Sequence, residues 1–274
     1  MGVDVVLLKG KRLLVTGVQT RSSIAYVAAR LAQEQGAEIV LTGFGRGMAI
    51  TRQLAADFSP ECDVLELDVT RPDQLDDVAA NLRDRWGAVD GVLHGIAFAA
   101  PSTLDGGFIT APWPDVSTAL HVSTYSFVAL GRVFAPLLAA AGGGALVGLD
   151  FDAAQAWPGY DWMGVAKAGL ESCCRYLAHA LGPQGTRVNL IAAGPLRTVA
   201  ASAIRSFTTF EAAWEDRAPL AWDVKDASAV AKAVCALWSD WLPSMTGEVI
   251  HVDGGAHALG RGARDLPADG KVTL

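Results

Sequence analysis

The sequence is poor in cysteine, with Cys62, Cys173, Cys174 and Cys235 alone in 274 residues. Four thiols at such spacings make no disulfide framework, and the adjacent pair points to different helix faces, so a reducing, cytoplasmic setting is expected. Excess positive charge is also lacking: 22 Lys and Arg stand against 29 Asp and Glu, a formal net charge of −7. That balance excludes the dense basic stripe a phosphate backbone needs, and no nucleic-acid partner is expected. The longest uncharged apolar stretch, residues 133–149, is broken by Pro136 and by Gly142, Gly143 and Gly144. It reads as a helix end, a turn and a strand, so no membrane association is expected. The first nine residues have no basic region ahead of an apolar core, and no secretory signal is expected.

Several sequence cues for catalysis are missing too. His94, His121, His179, His251 and His257 are scattered, with no ligand-pair spacing, so no metal site is expected. There is no G-x-S-x-G elbow and no Walker A loop, which removes the usual cues for serine hydrolases and nucleoside triphosphatases.

What is present is a chain with 51% hydrophobic and 19% charged residues, enough for a substantial core. Seven short β-branched or Leu-rich runs occur at 12–16, 38–42, 63–67, 91–94, 145–149, 187–192 and 248–252. Amphipathic helical patterns separate them at 23–35, 49–57, 73–86, 115–138, 160–181 and 227–238, with a further helical segment inside 200–214. Ser23 and Asp73 suit helix N-caps, and Gly36 and Gly182 suit helix ends. Apolar strands without strict alternation, interleaved with helices, predict a single-domain α/β fold of Rossmann type over residues 1–258. Its doubly wound parallel sheet of about seven strands would carry helices on both faces. Residues 259–274 mix Gly, Arg, Asp, Pro and Lys without apolar period and read as a flexible C-terminal tail.

The first βα unit brings Gly17, Val18, Ser23 and Ile24 to the place where free helix amides would meet a pyrophosphate. It is not G-x-G-x-x-G, so spacing alone leaves an ordinary βα turn as an equal reading. Asp68 and Val69 end the third strand, and Gly95, Ile96 and Ala97 end the fourth. An acceptor for an adenine edge and a small-residue bed for a ribose, both at the ligand edge of the sheet, together favour a nucleotide. Farther on, Tyr160 and Lys167 are seven residues apart, which returns to within roughly 20° on a helix and would put phenol and ammonium on one face. Such a pair can donate a hydrogen bond to a developing oxyanion, although a Tyr at a helix start with a snorkelling Lys shows the same spacing. Trp157, three residues before Tyr160, is placed in the site.

These residues, with 193–198 (Ala-Gly-Pro-Leu-Arg-Thr) and the segment from Thr246 to Gly255, resemble the divergent short-chain dehydrogenases. More narrowly, from about residue 9 to 257, the chain resembles bacterial NADH-dependent enoyl-acyl-carrier-protein reductases, especially the mycobacterial branch that serves mycolic acid synthesis. Ordinary members of the superfamily space the pair as Tyr-x3-Lys, whereas position 164 here is Gly. The resemblance implies a homotetramer that reduces the trans-2 double bond of a fatty acyl thioester carried on acyl carrier protein or coenzyme A. Hydride would go to C3, Tyr160 would stabilise the enolate oxygen, Lys167 would bind the nicotinamide ribose, and Phe151 would stand where many other bacterial reductases have a second Tyr. Gly194, Pro195, Leu196 and Thr198 would hold the carboxamide and phosphates, Phe44 would lie near the adenosine, and Gly95, Ile96 and Ala97 would back the ribose. Phe151, Trp157, Tyr160, Met163, Ala201 and Ile204 would face substrate, with a substrate loop over about 198–222.

Three departures from the mycobacterial pattern bear on this. Gly95 and Ala97 replace Ser and Gly beside the cofactor, Trp157 replaces Met and should narrow the acyl pocket, and the 198–222 segment is shorter. Ordinary rather than very long acyl chains are therefore expected. No acid follows the second strand, and Arg46 could meet a 2′-phosphate, but the similar Arg in that branch accompanies NADH, so NADH is expected over NADPH. A ketoreductase or alcohol dehydrogenase on the same fold, and a nucleotide-binding paralogue without turnover, are the alternatives.

Overall fold

The computed structural model describes residues 6–202, 204–205 and 207–259. Its centre is a seven-stranded sheet of β1 (Arg12–Val15), β2 (Glu38–Gly43), β3 (Asp63–Glu66), β4 (Gly91–His94), β5 (Ala145–Asp150), β6 (Arg187–Ala193) and β7 (Val249–Val252). The strands lie in the order β3-β2-β1-β4-β5-β6-β7, and every pairing is parallel. The order reverses between β1 and β4, the switch point beyond whose strand ends ligands bind in doubly wound sheets.

The helices are α1 (Ile24–Glu34), α2 (Gly47–Ala55), α3 (Pro72–Trp86), α4 (Trp113–Leu120), α5 (Ser126–Ala140), α6 (Asp161–Leu181), α7 (Val199–Ser202), α8 (Phe207–Arg217) and α9 (Ser228–Trp238). Strand pleating divides the apolar residues between two cores. Leu13, Val15, Ile39, Leu41, Leu93, Val147 and Ile191 face α1 and α9, whereas Leu14, Val40, Val92, Leu146 and Leu190 face α3, α5 and α6. Because both faces are covered, the central strands carry apolar residues on both faces, which is why no clean alternation is visible in the sequence.

Several local expectations change. The helix expected over 115–138 starts at Trp113 and is interrupted by a π-helical turn, His121–Tyr125, before α5. Together 113–140 have the length and hydropathy of a membrane span, yet 56% of the apolar window is buried inside the molecule. Asp73 is no cap: Pro72 opens α3, and Asp73 sits in the first turn and pairs with Arg71 at 2.7 Å. Gly182 does end α6, as its C-cap in helical φ, and leads into a 3₁₀ turn that closes at left-handed Gly185. Ser23 caps α1 as expected, accepting from the Tyr26 amide at 3.4 Å. The helical segment inside 200–214 is two pieces, α7 and α8. Of the expected tail, Leu259 accepts a hydrogen bond from Arg217 at 2.8 Å, and residues 260–274 lie outside the described residues.

Candidate active site

One cavity of about 860 Å³ runs along the C-terminal ends of β1 to β6. At its floor, the Thr16 hydroxyl donates to the Leu93 carbonyl at 2.7 Å and accepts from the Gly95 amide at 3.1 Å, joining the ends of β1 and β4. Gly17, at φ +86°, then runs so close to Gly95 that a Cβ would overlap the Gly95 carbonyl. Backbone lies bare here, as a diphosphate lying along a helix N-terminus requires. The Asp68 carboxylate accepts from the Thr70 amide and hydroxyl at 2.9 and 2.7 Å, fixing the loop after β3 at the cavity edge.

The loop after β4 is held by the π-helical turn. Ser123, fully buried, accepts from the Phe98 amide and donates to the Phe98 carbonyl, both at 3.0 Å, which sets the wall at Ile96, Ala97 and Phe98. Thr124 donates to the Ala166 carbonyl at 2.7 Å and so ties that wall to α6. Such one-turn interruptions of a helix recur at functional sites because they turn side chains off the regular spiral.

Tyr160 and Lys167 both border the cavity, although not on one uninterrupted helix. Tyr160 is the residue before α6, and the first helical residue, Asp161, has φ +44°. The simple rotation of 100° per residue therefore does not describe the step from 160 to 161. Gly164, where an x3 spacing would put the cation, lies beside the Tyr160 ring. Lys167 Nζ donates to the Leu149 carbonyl at 2.7 Å and stands 3.9 Å from Asp150 Oδ1. Both Asp150 carboxylate oxygens are buried without a hydrogen-bond partner among the described residues, and Asp150 borders the cavity.

Burial governs the electrostatics. It raises the Asp150 carboxyl to about 7 despite Lys167, and lowers the Lys167 ammonium below its ordinary value despite Asp150. Burial, then the nearby Asp150 charge, pushes the Tyr160 phenol well above the ordinary range. The phenol stays protonated and can donate, beside a cation, to an oxygen that becomes negative.

An aromatic cluster closes the site behind Tyr160. Phe151 packs edge-on against Tyr160, Trp157 and Phe210, with centroids 5.2, 5.5 and 5.7 Å apart, and tilted against Trp214 at 5.4 Å. Three indole N–H groups anchor this cluster to backbone: Trp157 to Asp152 at 2.7 Å, Trp214 to Asp253 at 3.1 Å and Trp222 to Pro195 at 2.8 Å. Gly194 is pressed beneath Trp222 and Trp214, where a Cβ would come within 2.6 and 2.8 Å of the two indoles.

A family model described as enoyl-(acyl carrier protein) reductase matches residues 17–257. The chain belongs to this family. Among curated relatives, the NADH-dependent enoyl-[acyl-carrier-protein] reductase of Mycolicibacterium smegmatis is 45% identical over 264 residues, covering 91% of this chain and 97% of its own length. That of Mycobacterium avium is 44% identical with the same coverage, and that of Escherichia coli is 40% identical, covering 90% of this chain and 94% of its own.

Of the family's site residues expected from the sequence, all but Trp157 border the cavity. Trp157 instead sits behind Phe151, tilted against Trp214 at 5.2 Å, because its indole N–H is turned to the Asp152 carbonyl. Its bulk therefore reaches the cavity through Phe151 and Phe210. Sequence reasoning missed Leu104, Phe207 and Phe210, which form the apolar end of the cavity, and Ser123, Thr124 and Ser126, which lack any spacing motif. Their position follows from the π-helical turn, which no local pattern announces. Asp150, the last residue of β5, carries no spacing signal of its own in the sequence.

The glycine backbone at Gly17 and Gly194 on the cavity wall and the orphaned Asp150 carboxylate fit an extended dinucleotide whose hydroxyls and amides need partners. Asp150→Asn is expected to move the alkaline limb of the pH–kcat profile to lower pH. The carboxylate holds the Lys167 value up, so its removal lets the ammonium lose its proton sooner. An unmoved limb would show that the two groups are not coupled during turnover.

Proposed function

We propose that this family member reduces the trans-2 double bond of fatty acyl thioesters on acyl carrier protein, with NADH as reductant, in fatty acid synthesis. The observation that carries the reading is Tyr160 buried against Phe151, with Lys167 seven residues on, rather than four, bordering the same cavity. Relatives at 40–45% identity across nearly their whole length, each named an NADH enoyl-[acyl-carrier-protein] reductase, support it.

Bound NADH supplies a hydride to C3. Gly17, Val18, Ser23 and Ile24 would receive the diphosphate end, Asp68, Val69 and Phe44 the adenosine, and Gly194, Pro195, Leu196 and Thr198 the carboxamide side. Lys167 would hold ribose hydroxyls. As electrons move onto the thioester oxygen, Tyr160 donates its hydrogen bond to that oxygen, the enolate is stabilised without transfer of the phenolic proton, and C2 then takes a proton from solvent or a relay to give the saturated thioester. Phe151 keeps water from the phenol's rear, and Met163, Ala201 and Ile204 border the acyl chain.

The large apolar rings of Phe207 and Phe210 bordering the cavity support a preference for ordinary acyl lengths. A homotetramer is supported by exposed apolar side chains around α4 and α6, with Trp113, Tyr125 and Val165 at 69, 56 and 39% exposure. Sedimentation as a monomer at micromolar concentration would remove that assignment. A cytoplasmic setting is supported by free cysteines, of which Cys62, Cys174 and Cys235 are buried with thiols pushed up to about 12.

The deciding assay is loss of NADH absorbance with trans-2-enoyl thioesters of graded length and with a 3-ketoacyl thioester. Consumption with the enoyl series alone, peaking at medium length, is expected, and consumption with the ketoacyl ester instead would assign a ketoreductase. Trp157→Met is expected to lower stability by about 1–2 kcal/mol through the void behind Phe151 and to extend the longest chain accepted. An unchanged length profile would remove Trp157 from substrate selection.

A further inference from the structure

Among the described residues, three outside glycine adopt a left-handed backbone: Asp105 at φ +53°, Asp161 at φ +44° and Ala221 at φ +57°. Two of these face one another in a single bridge. The Gly106 amide donates to Asp161 Oδ2 at 2.6 Å, and one residue earlier the Asp105 amide donates to the Gly159 carbonyl at 3.0 Å. Gly159, Tyr160 and Asp161 are consecutive, so the bonds grip the chain on both sides of the phenol. Beyond the bridge, Asp105 Oδ2 accepts from the Arg205 amide at 3.1 Å.

Each gripped segment carries a wall of the cavity. Leu104 precedes Asp105 and packs with Tyr160, Met163 and Phe210, and Ile204 precedes Arg205. A left-handed Asp is tolerated where its short side chain finds a local polar partner, and it persists only when the surroundings over-determine it. Here the partner is a backbone amide of a different loop. If Asp161 took the ordinary helical conformation, α6 would begin a residue earlier in register and the Tyr160 ring would leave its place against Phe151.

We propose that Asp161 is the positioning residue for Tyr160, and that the Asp105–Asp161 bridge ties the phenol to the two loops that border the substrate. This rests on the enoyl reductase reading above and deepens it. Two functions divide between the two acids. Asp161 fixes where the phenol points, which bears on the chemical step, and Asp105 fixes the Leu104 and Ile204 walls, which bears on substrate affinity.

The test compares Asp161→Asn, Asp161→Gly and Asp105→Gly with the unaltered chain. The readouts are kcat and KM for a medium-length enoyl thioester, NADH affinity by fluorescence, and hydrogen exchange of the Gly106 amide. Asn keeps an acceptor oxygen and tolerates the left-handed region, so kcat within about 3-fold is expected. Gly relieves the backbone but removes the acceptor, and a kcat drop of about 10-fold or more is expected, because small misplacement of a reacting group is costly. NADH affinity should stay within about 2-fold in all three, since the adenosine and diphosphate walls are remote from the bridge. Asp105→Gly is expected to raise KM with little change in kcat.

Asp161→Gly with unaltered kcat, or with kcat and NADH affinity falling together, would overturn the proposal. So would Asp161→Asn failing to rescue. Gly106 exchange should quicken in Asp161→Gly and not in Asp161→Asn, and equal exchange in both would overturn the bridge itself. If the unaltered chain reduces no enoyl thioester yet Gly106 behaves as stated, the reductase reading fails while the bridge stands.

Discussion

Tyr160→Phe is expected to lower kcat about 10²- to 10³-fold while leaving NADH affinity within about 2-fold, the effect of deleting one donor to a developing oxyanion. The change removes a single oxygen from a ring that Phe151, Phe210 and Met163 hold in place, so the packing survives it. Lys167→Met should show the complementary pattern, with weakened NADH binding as well as lost kcat. The site tolerates that substitution because Asp150, already raised to about 7 by burial, is raised further and takes up a proton instead of remaining a lone buried anion. Stopped-flow reduction and equilibrium NADH titration of both variants separate the two roles. A Tyr160→Phe variant within about 5-fold of wild-type kcat would remove the phenol as the oxyanion donor. Since burial and Asp150 both raise the phenol, no gain in activity from its ionisation is expected as pH climbs toward 10.

The sheet was legible because its central strands are apolar on both faces. The runs at Leu13-Leu14-Val15 and Leu146-Val147 divide between opposite cores, a pattern only a covered parallel sheet explains. The Tyr160–Lys167 pair was legible as spacing, and the family resemblance supplied what spacing could not. The mechanism of their juxtaposition was hidden, since it depends on a left-handed Asp161 held by an amide 55 residues away in sequence. Trp157 was assigned to the cavity wall by its position before Tyr160. The direction of its ring is decided instead by the Asp152 carbonyl and by Trp214, contacts with no local signature. The π-helical turn is the same kind of omission: Ser123, Thr124 and Ser126 read as ordinary helix residues, yet each makes a tertiary hydrogen bond.

The second large effect concerns acid stability and centres on His94, the last residue of β4. Its Nε2 bonds to Ser126 Oγ at 2.7 Å, and because that hydroxyl donates to the Val122 carbonyl at 2.7 Å, the imidazole is the donor and carries its proton on Nε2. Nδ1 is buried without a partner among the described residues. Burial, aided by the Lys167 charge, lowers the group from 6.5 to about 3. A depressed value means that the unfolded chain binds the proton first. The stabilisation from a neutral His94 is therefore complete above about 6.5 and is lost as pH falls toward 3, on the order of 5 kcal/mol across the window. Asp150 acts oppositely over nearly the same range: raised to about 7, it adds stability as pH falls below 7. The wild-type curve is the difference of the two and can look shallow, so the informative quantity is wild type minus His94→Gln. Urea midpoints from pH 7 to 4 are expected to show that difference shrinking steadily on acidification, with His94→Gln alone gaining stability between 7 and 5. Asp57 is lowered by Arg21 and Tyr26, and other carboxylates common to both chains cancel in the difference. A difference that stays constant with pH would mean that the folded state does not hold His94 neutral, and the hydrogen bond to Ser126 would then have to be assigned to an imidazolium.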